Sequence, residues 1–163
     1  MPPESNKQIV RRFIDELWNG RKLEVADELF APDCVTHQLR SGEPDSSTPR
    51  PPQHMKEHVA GWLVAFPDLQ MTAEGMLAEG DMVATSMVFQ GTHLGTWSGV
   101  PPTGRRVSIR MVVVHRIADG KICEDWALVE SLGFLQQLGL APSTADMIAK
   151  AASRGNSAAQ QVS

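Results

Sequence analysis

From residue 69 onward the apolar residues stop recurring every three or four positions and begin to alternate, and nothing else in the chain constrains its fold so strongly. The run "RVSIRMVVVHRI" (106–117) and the run "KICEDWALVE" (121–130) are separated by Asp119-Gly120. Both residues of such a pair tolerate the positive φ that a two-residue turn between antiparallel strands demands, so this segment reads as a tight hairpin. "LQMTAEGMLAEGD" (69–81) reads as a strand ending in a turn at Glu79-Gly80-Asp81, and "MVATSMVFQGTHLG" (82–95) as a long strand. "VPPTGRR" (100–106) is the turn that leads into the hairpin.

Before residue 69 the period is helical. "SNKQIVRRFIDELW" (5–18) places Ile9, Val10, Phe13 and Leu17 on one face, with Ser5 as its N-cap and Asn19-Gly20 as its end. A short helix follows at about 22–30, stopped by Pro32, and "DCVTHQ" (33–38) is a brief extended segment. Residues 53–66 form a third helix with Met55, Val59, Trp62, Leu63 and Phe66 inward. Between them, "LRSGEPDSSTPRPP" (39–52) holds too many prolines and serines for a regular element, so it is a loop, either a lid or plain surface. A short helix is expected at 131–139. Residues 143–163 form an Ala/Ser-rich tail, partly helical or disordered, outside a domain of 1–142.

Helices followed by antiparallel strands give an α+β fold, a curved antiparallel sheet wrapped around the N-terminal helices with an internal pocket. The 163 residues can bury a core without staples, and a net charge of -4 with no basic stripe argues against nucleic acid. No apolar run is long enough to span a membrane, and no N-terminal segment resembles a secretion signal, so the cytoplasm is the expected compartment. Cys34 and Cys123 lack metal or disulfide spacing and read as small apolar residues. His54 and His58 stand one helical turn apart, but no third ligand is spaced to join them, so no metal is expected.

The segments "IVRRFIDELWNG", "LFAPDCVTH", "AFPDLQMT", "GTHLGTWSGVPPTGRRV", "HRIADGKICEDW" and "LGFLQQLG" together resemble the SnoaL-like polyketide (ester) cyclases of the NTF2-like superfamily of cone-shaped folds. The resemblance spans about residues 6–140. It implies an intramolecular aldol cyclase that needs no cofactor, in which an aspartate takes a proton from the carbon nucleophile and returns it to the new alkoxide. Anchored on Gly120-Lys121-Ile122, that aspartate's place is taken by Ala127, and a pocket histidine's place by Val113. Neither residue is carried over. The resemblance also implies histidines at His37 and His93, the second read here as structural, and a homodimer formed through the sheet.

Strand parity then sorts the hairpin. If Ala127 faces the cavity, Asp125 and Cys123 do too, with Met111, Val113 and His115 on the partner strand, while Glu124 and Trp126 face out. Asp125 is therefore the expected acid–base residue, assisted by His37 at the cavity mouth. Trp62, Met87, Phe89, Trp97, Met111, Val113, His115 and Ala127 are the expected lining for a hydrophobic small molecule, and Glu130 the residue at the rim. Thr36, Thr85 and Ser86 offer weaker polar handles. Arg110, Val112, Val114 and Trp126 would form the dimer face. Cyclisation, isomerisation and hydrolysis all suit such a site, and a binding protein that has lost the cyclase aspartate is the alternative.

Overall fold

A computed structural model describes residues 3–39 and 46–160, without the side chains of 39 and 155–160. The chain opens with α1 (Pro3–Arg12), which runs into a wider π-helical stretch, Phe13–Asn19. The wider turn brings Phe13, Ile14, Leu17 and Trp18 into the core together. The helix ends at Asn19 as expected, because a Cβ at Gly20 would lie 2.7 Å from the Glu16 carbonyl oxygen. It begins at Pro3, so Ser5 lies inside it and is not its cap. A 3-10 turn (Leu23–Val25) and α2 (Ala26–Leu29) follow, then β1 (Phe30–Leu39) and β2 (Ser46–Pro49). The remaining elements are α3 (Pro52–Ala65), β3 (Gln70–Glu79), β4 (Met82–Thr92), β5 (Arg106–Ala118), β6 (Lys121–Val129), α4 (Ser131–Leu138) and α5 (Thr144–Gln160).

The fold is the expected α+β arrangement, and its curved sheet has six strands in the order β2-β1-β6-β5-β4-β3. All neighbours are antiparallel except β1 and β6, which run parallel. The extended segment at 33–38 is thus a full inner strand. Pro32 does not end the preceding helix but sits in β1, where the register to β6 shifts between Phe30 and Val35 and no ladder donor is needed. Within the segment read as a loop, Ser46–Pro49 pairs with β1, while residues 40–45 lie outside the described residues. The proposed lid cannot therefore be the whole of 39–52.

The Asp-Gly hairpin forms as predicted, with φ of 50° at Asp119 and 76° at Gly120. Helices cover one face of the sheet. Asn19 stitches the π-helical stretch to the edge strand: its side-chain amide donates to the Met71 carbonyl and accepts from the Met71 N–H, both at 2.8 Å. That exchange imitates another strand and satisfies backbone groups at an open edge. The core between helices and sheet is apolar, with Val10, Leu17, Leu29, Phe30, Val59, Phe66, Leu69, Val83 and Ile122 fully excluded from solvent. At the far end, the Leu94 and Gly95 N–H groups both donate to the Ala65 carbonyl at 3.0 Å. They hold the β4–β5 loop against the end of α3 and set Trp97 beside Trp62.

Candidate functional site

The register aligns the inner-face residues in rows. Val83, His115 and Asp125 form one row across β4, β5 and β6, and Thr36 of β1 pairs with Asp125. Thr85, Val113 and Ala127 form the next row, and Met87, Met111 and Val129 the one after. Phe89 and Ile109 follow. Rows on one face are about 7 Å apart, so Asp125 lies roughly 20 Å along the sheet from Ile109.

The Asp125 end is polar and closed. Asp125 is 5% exposed, and its Oδ2 accepts a hydrogen bond of 3.1 Å from the Thr36 hydroxyl. Burial pushes its pKa up to about 6, against the lowering effects of Thr36 and of the Arg50 charge. His115, directly across the strand pair, is 1% exposed, and burial pushes its pKa down to about 4, so it is a neutral imidazole at pH 7. Its ring packs edge-on to Phe13 with centroids 5.2 Å apart. His115 Nδ1, Thr85 Oγ1 and Arg50 Nε are all buried without a hydrogen-bond partner. The Cys34 thiol nearby is held up at about 12, first by burial and then by Asp125, which makes it a poor nucleophile.

The opposite end is aromatic. Trp62 packs on Phe66, Phe89, Trp97 and Phe134 with centroids 5.4 to 5.9 Å apart. His93 stacks on Phe66 at 5.2 Å and receives the Thr103 N–H at its Nδ1, so it latches the β4–β5 loop. A shallow groove of about 290 Å³ opens there, walled by Glu57, His58, Gly61, Trp62 and residues 96–98. A larger concavity, about 530 Å³, lies on the outer face between Pro32, Val35, Arg116, Lys121 and Cys123. Neither is the closed hollow expected above Asp125.

Of the predicted residues, the fold brings Asp125, Met87, Phe89, Met111, Val113, His115 and Ala127 onto one inner face, with Trp62 and Trp97 at its aromatic end. One is placed elsewhere. His37 lies one position from Thr36 and so points to the other face, where its Nε2 meets Glu124 Oε1 at 2.8 Å and its ring stacks on Trp126 at 5.0 Å. Arg116 completes this outer cluster, and His37 and Arg116 together hold the Glu124 carboxyl below its usual range. His37 therefore does not assist Asp125. Glu130 is exposed at the start of α4, folded over Gly133. Cys123 is turned outward too, because a bulge between Ile122 and Glu124 breaks the parity of β6 and sends Ile122 inward instead. Among the described residues no group of three or more His, Cys, Asp or Glu could hold a metal.

Sequence reasoning missed Arg50. The available signal was one arginine framed by Pro49 and Pro51, a stiff setting for a long side chain.

The sequence model of the SnoaL-like polyketide cyclase family matches residues 8–138. The nogalonic acid methyl ester cyclase of Streptomyces nogalater is 39% identical over 131 residues, which are 75% of this chain and 89% of that protein. The aklanonic acid methyl ester cyclase DauD of Streptomyces sp. (strain C5) is 30% identical over 138 residues, 80% of each chain. Among solved structures, IdmH of Streptomyces antibioticus, a candidate polyketide cyclase, superposes with a TM-score of 0.68 at 33% identity, covering 82% of this chain and 98% of that one. AclR of Streptomyces galilaeus, a candidate hydroxylase, gives 0.75 at 29% identity, covering 98% and 96%.

Proposed function

The chain belongs to the SnoaL-like polyketide cyclase family, and from that premise we propose that it is a cofactor-free acid–base enzyme that cyclises a keto-bearing, polyketide-type small molecule on the inner face of its sheet. The observation that carries this reading is Asp125: a carboxyl shut away from water, with a pKa near 6 and one oxygen engaged by Thr36. Such a group is ionised at pH 7 yet basic enough to take a proton from carbon. It stands two places before Ala127 on the same strand face, and so supplies a carboxylate where the family's own position has lost one. In the reaction, Asp125 removes the proton α to a carbonyl. The carbanion then attacks a second carbonyl of the same molecule, and the proton returns to the alkoxide. The aromatic end receives the outer rings of the substrate.

The dimer belongs to the same proposal. Val112 and Leu128 are cross-strand partners on the outer face, 44% and 50% exposed, and Val114 and Trp126 are the next such pair. A second copy of the chain would cover this strip. No described helix is long and apolar enough to cross a membrane, and a cytoplasmic enzyme is the reading carried forward.

The test is turnover of nogalonic and aklanonic acid methyl esters by the wild type and by Asp125→Asn. The wild-type rate should rise with pH through about 6 and then level, since the base must be ionised. The variant should lose at least about a hundredfold in kcat. Equal rates for the two proteins end the proposal.

A further inference from the structure

We infer that Arg50 holds the substrate oxygen that becomes negative during proton transfer, so that a carbonyl flanked by an acidic C–H sits between the guanidinium and Asp125; this deepens the reading above and rests on it. Arg50 is fixed at its backbone, where its N–H donates to the Cys34 carbonyl at 2.7 Å and Pro49 before it pairs with Val35. Arg50 is only 9% exposed, and its Nε has no hydrogen-bond partner among the described residues. Its charge acts on both Asp125 and Cys34, yet among the described residues Arg50 and Asp125 make no ion pair within 4.0 Å.

A cation and a carboxyl that are both buried, feel each other's charge and make no ion pair are each desolvated without a direct charged partner, which is costly. A third polar group between them removes the expense. The orphaned His115 Nδ1 and Thr85 Oγ1, on the same inner face as Asp125, are further unmet polar atoms for it.

Charge bookkeeping selects the chemistry. A ligand that is already anionic would be repelled by ionised Asp125. A neutral carbonyl compound avoids this. The C–H bond breaks and its proton goes to Asp125 Oδ1, because Oδ2 already accepts from Thr36. The C–H electron pair becomes the C=C bond of an enolate, and the carbonyl π pair moves onto oxygen. Nothing is oxidised or reduced. One negative charge travels from Asp125 to the substrate oxygen while the Arg50 cation stays in place beside it, so the donor strengthens just where charge develops.

The enolate state can be imitated without turnover. Asp125→Asn stands for the protonated carboxyl, and 2-naphthoate for the oxyanion, with 2-naphthamide as its neutral counterpart. By titration calorimetry on the full chain, Asp125→Asn should bind naphthoate more tightly than naphthamide by about tenfold or more. Adding Arg50→Gln should erase that preference by weakening naphthoate far more than naphthamide, and Arg50→Lys, which keeps the charge, should restore part of it. A preference that survives Arg50→Gln, an equal fall for both probes, or no preference in the parent variant overturns the inference. Failure of the acid–base reading looks different: Asp125→Asn would then turn over the methyl esters normally, whatever Arg50 does to the probes.

Discussion

The two ends of the inner face are built on opposite principles. At one end Trp62, Phe66, Phe89, His93, Trp97 and Phe134 form a continuous aromatic cluster, with Trp97 and Phe134 as close as 4.9 Å. At the other, Thr36, Arg50, Thr85, His115 and Asp125 are buried polar groups, three of which carry an orphaned donor or acceptor. Burying apolar rings stabilises a fold, whereas burying an unpartnered polar atom costs about 1–3 kcal/mol each. The aromatic end therefore secures the sheet to α3 and α4. The polar end costs the same fold stability, and such a cost is the mark of a candidate site.

The sharpest way to break this contrast is to neutralise each end in turn. Asp125→Asn should cut kcat by about 10²–10⁴ while leaving the protein folded, read by steady-state kinetics beside circular dichroism. Phe66→Ala should do the converse at the aromatic end. Phe66 is fully buried, so its loss should cost about 3–5 kcal/mol in urea unfolding.

The pH dependence of stability probes the polar end, where Asp125 and His115 face each other across the strand pair. Asp125 holds its proton up to about pH 6, whereas an unfolded aspartate releases it near 4. Between those values the folded chain binds more protons than the unfolded one. Taken alone, Asp125 should lower stability by about 3 kcal/mol as pH rises through that window, a contribution that Asp125→Asn removes. His115 acts with the other sign: its pKa near 4 lies below the unfolded value, so its contribution is present above about 6.5 and is lost as pH falls. The two contributions oppose each other over the same pH range, so His115→Asn should expose the fall due to Asp125, and Asp125→Asn the rise due to His115, in the same titration.

Smaller effects sharpen the boundary of the site. Trp97→Ala should raise KM for the methyl esters about tenfold with kcat nearly unchanged, because it removes binding shared by substrate and transition state. His37→Ala on the outer face should change stability by less than about 1 kcal/mol and leave kcat alone, since its pair with Glu124 is partly exposed. A large loss of kcat in that variant would dissolve the distinction between the two faces.

The period-2 pattern and the Asp119-Gly120 turn made the last four strands legible to within a few residues at their ends, and parity correctly sent Asp125 inward and Glu124 and Trp126 outward. Parity fails at Cys123, because a bulge inserts a residue without altering the composition of the strand. The parallel pairing of β1 with β6 was invisible for a related reason: it joins segments far apart in the chain, and Pro32 in the bulge reads locally as a helix stop. His37 was misplaced because its face depends on that pairing. Arg50 was overlooked because a proline-rich stretch reads as loop, and burial of one side chain within it leaves no periodic trace.

The bond from Thr36 to Asp125 spans 89 positions along the chain. Strand β1 therefore emerges from the ribosome long before the neighbour it must lie beside, and it waits with one ladder unsatisfied until β6 has been synthesised. Folding of this kind depends on distant segments meeting, which makes it slow and exposes a sticky edge during synthesis. The buried Asp125–Thr36 pair is thus assembled late, when the loop between the first strand and the sixth is finally closed.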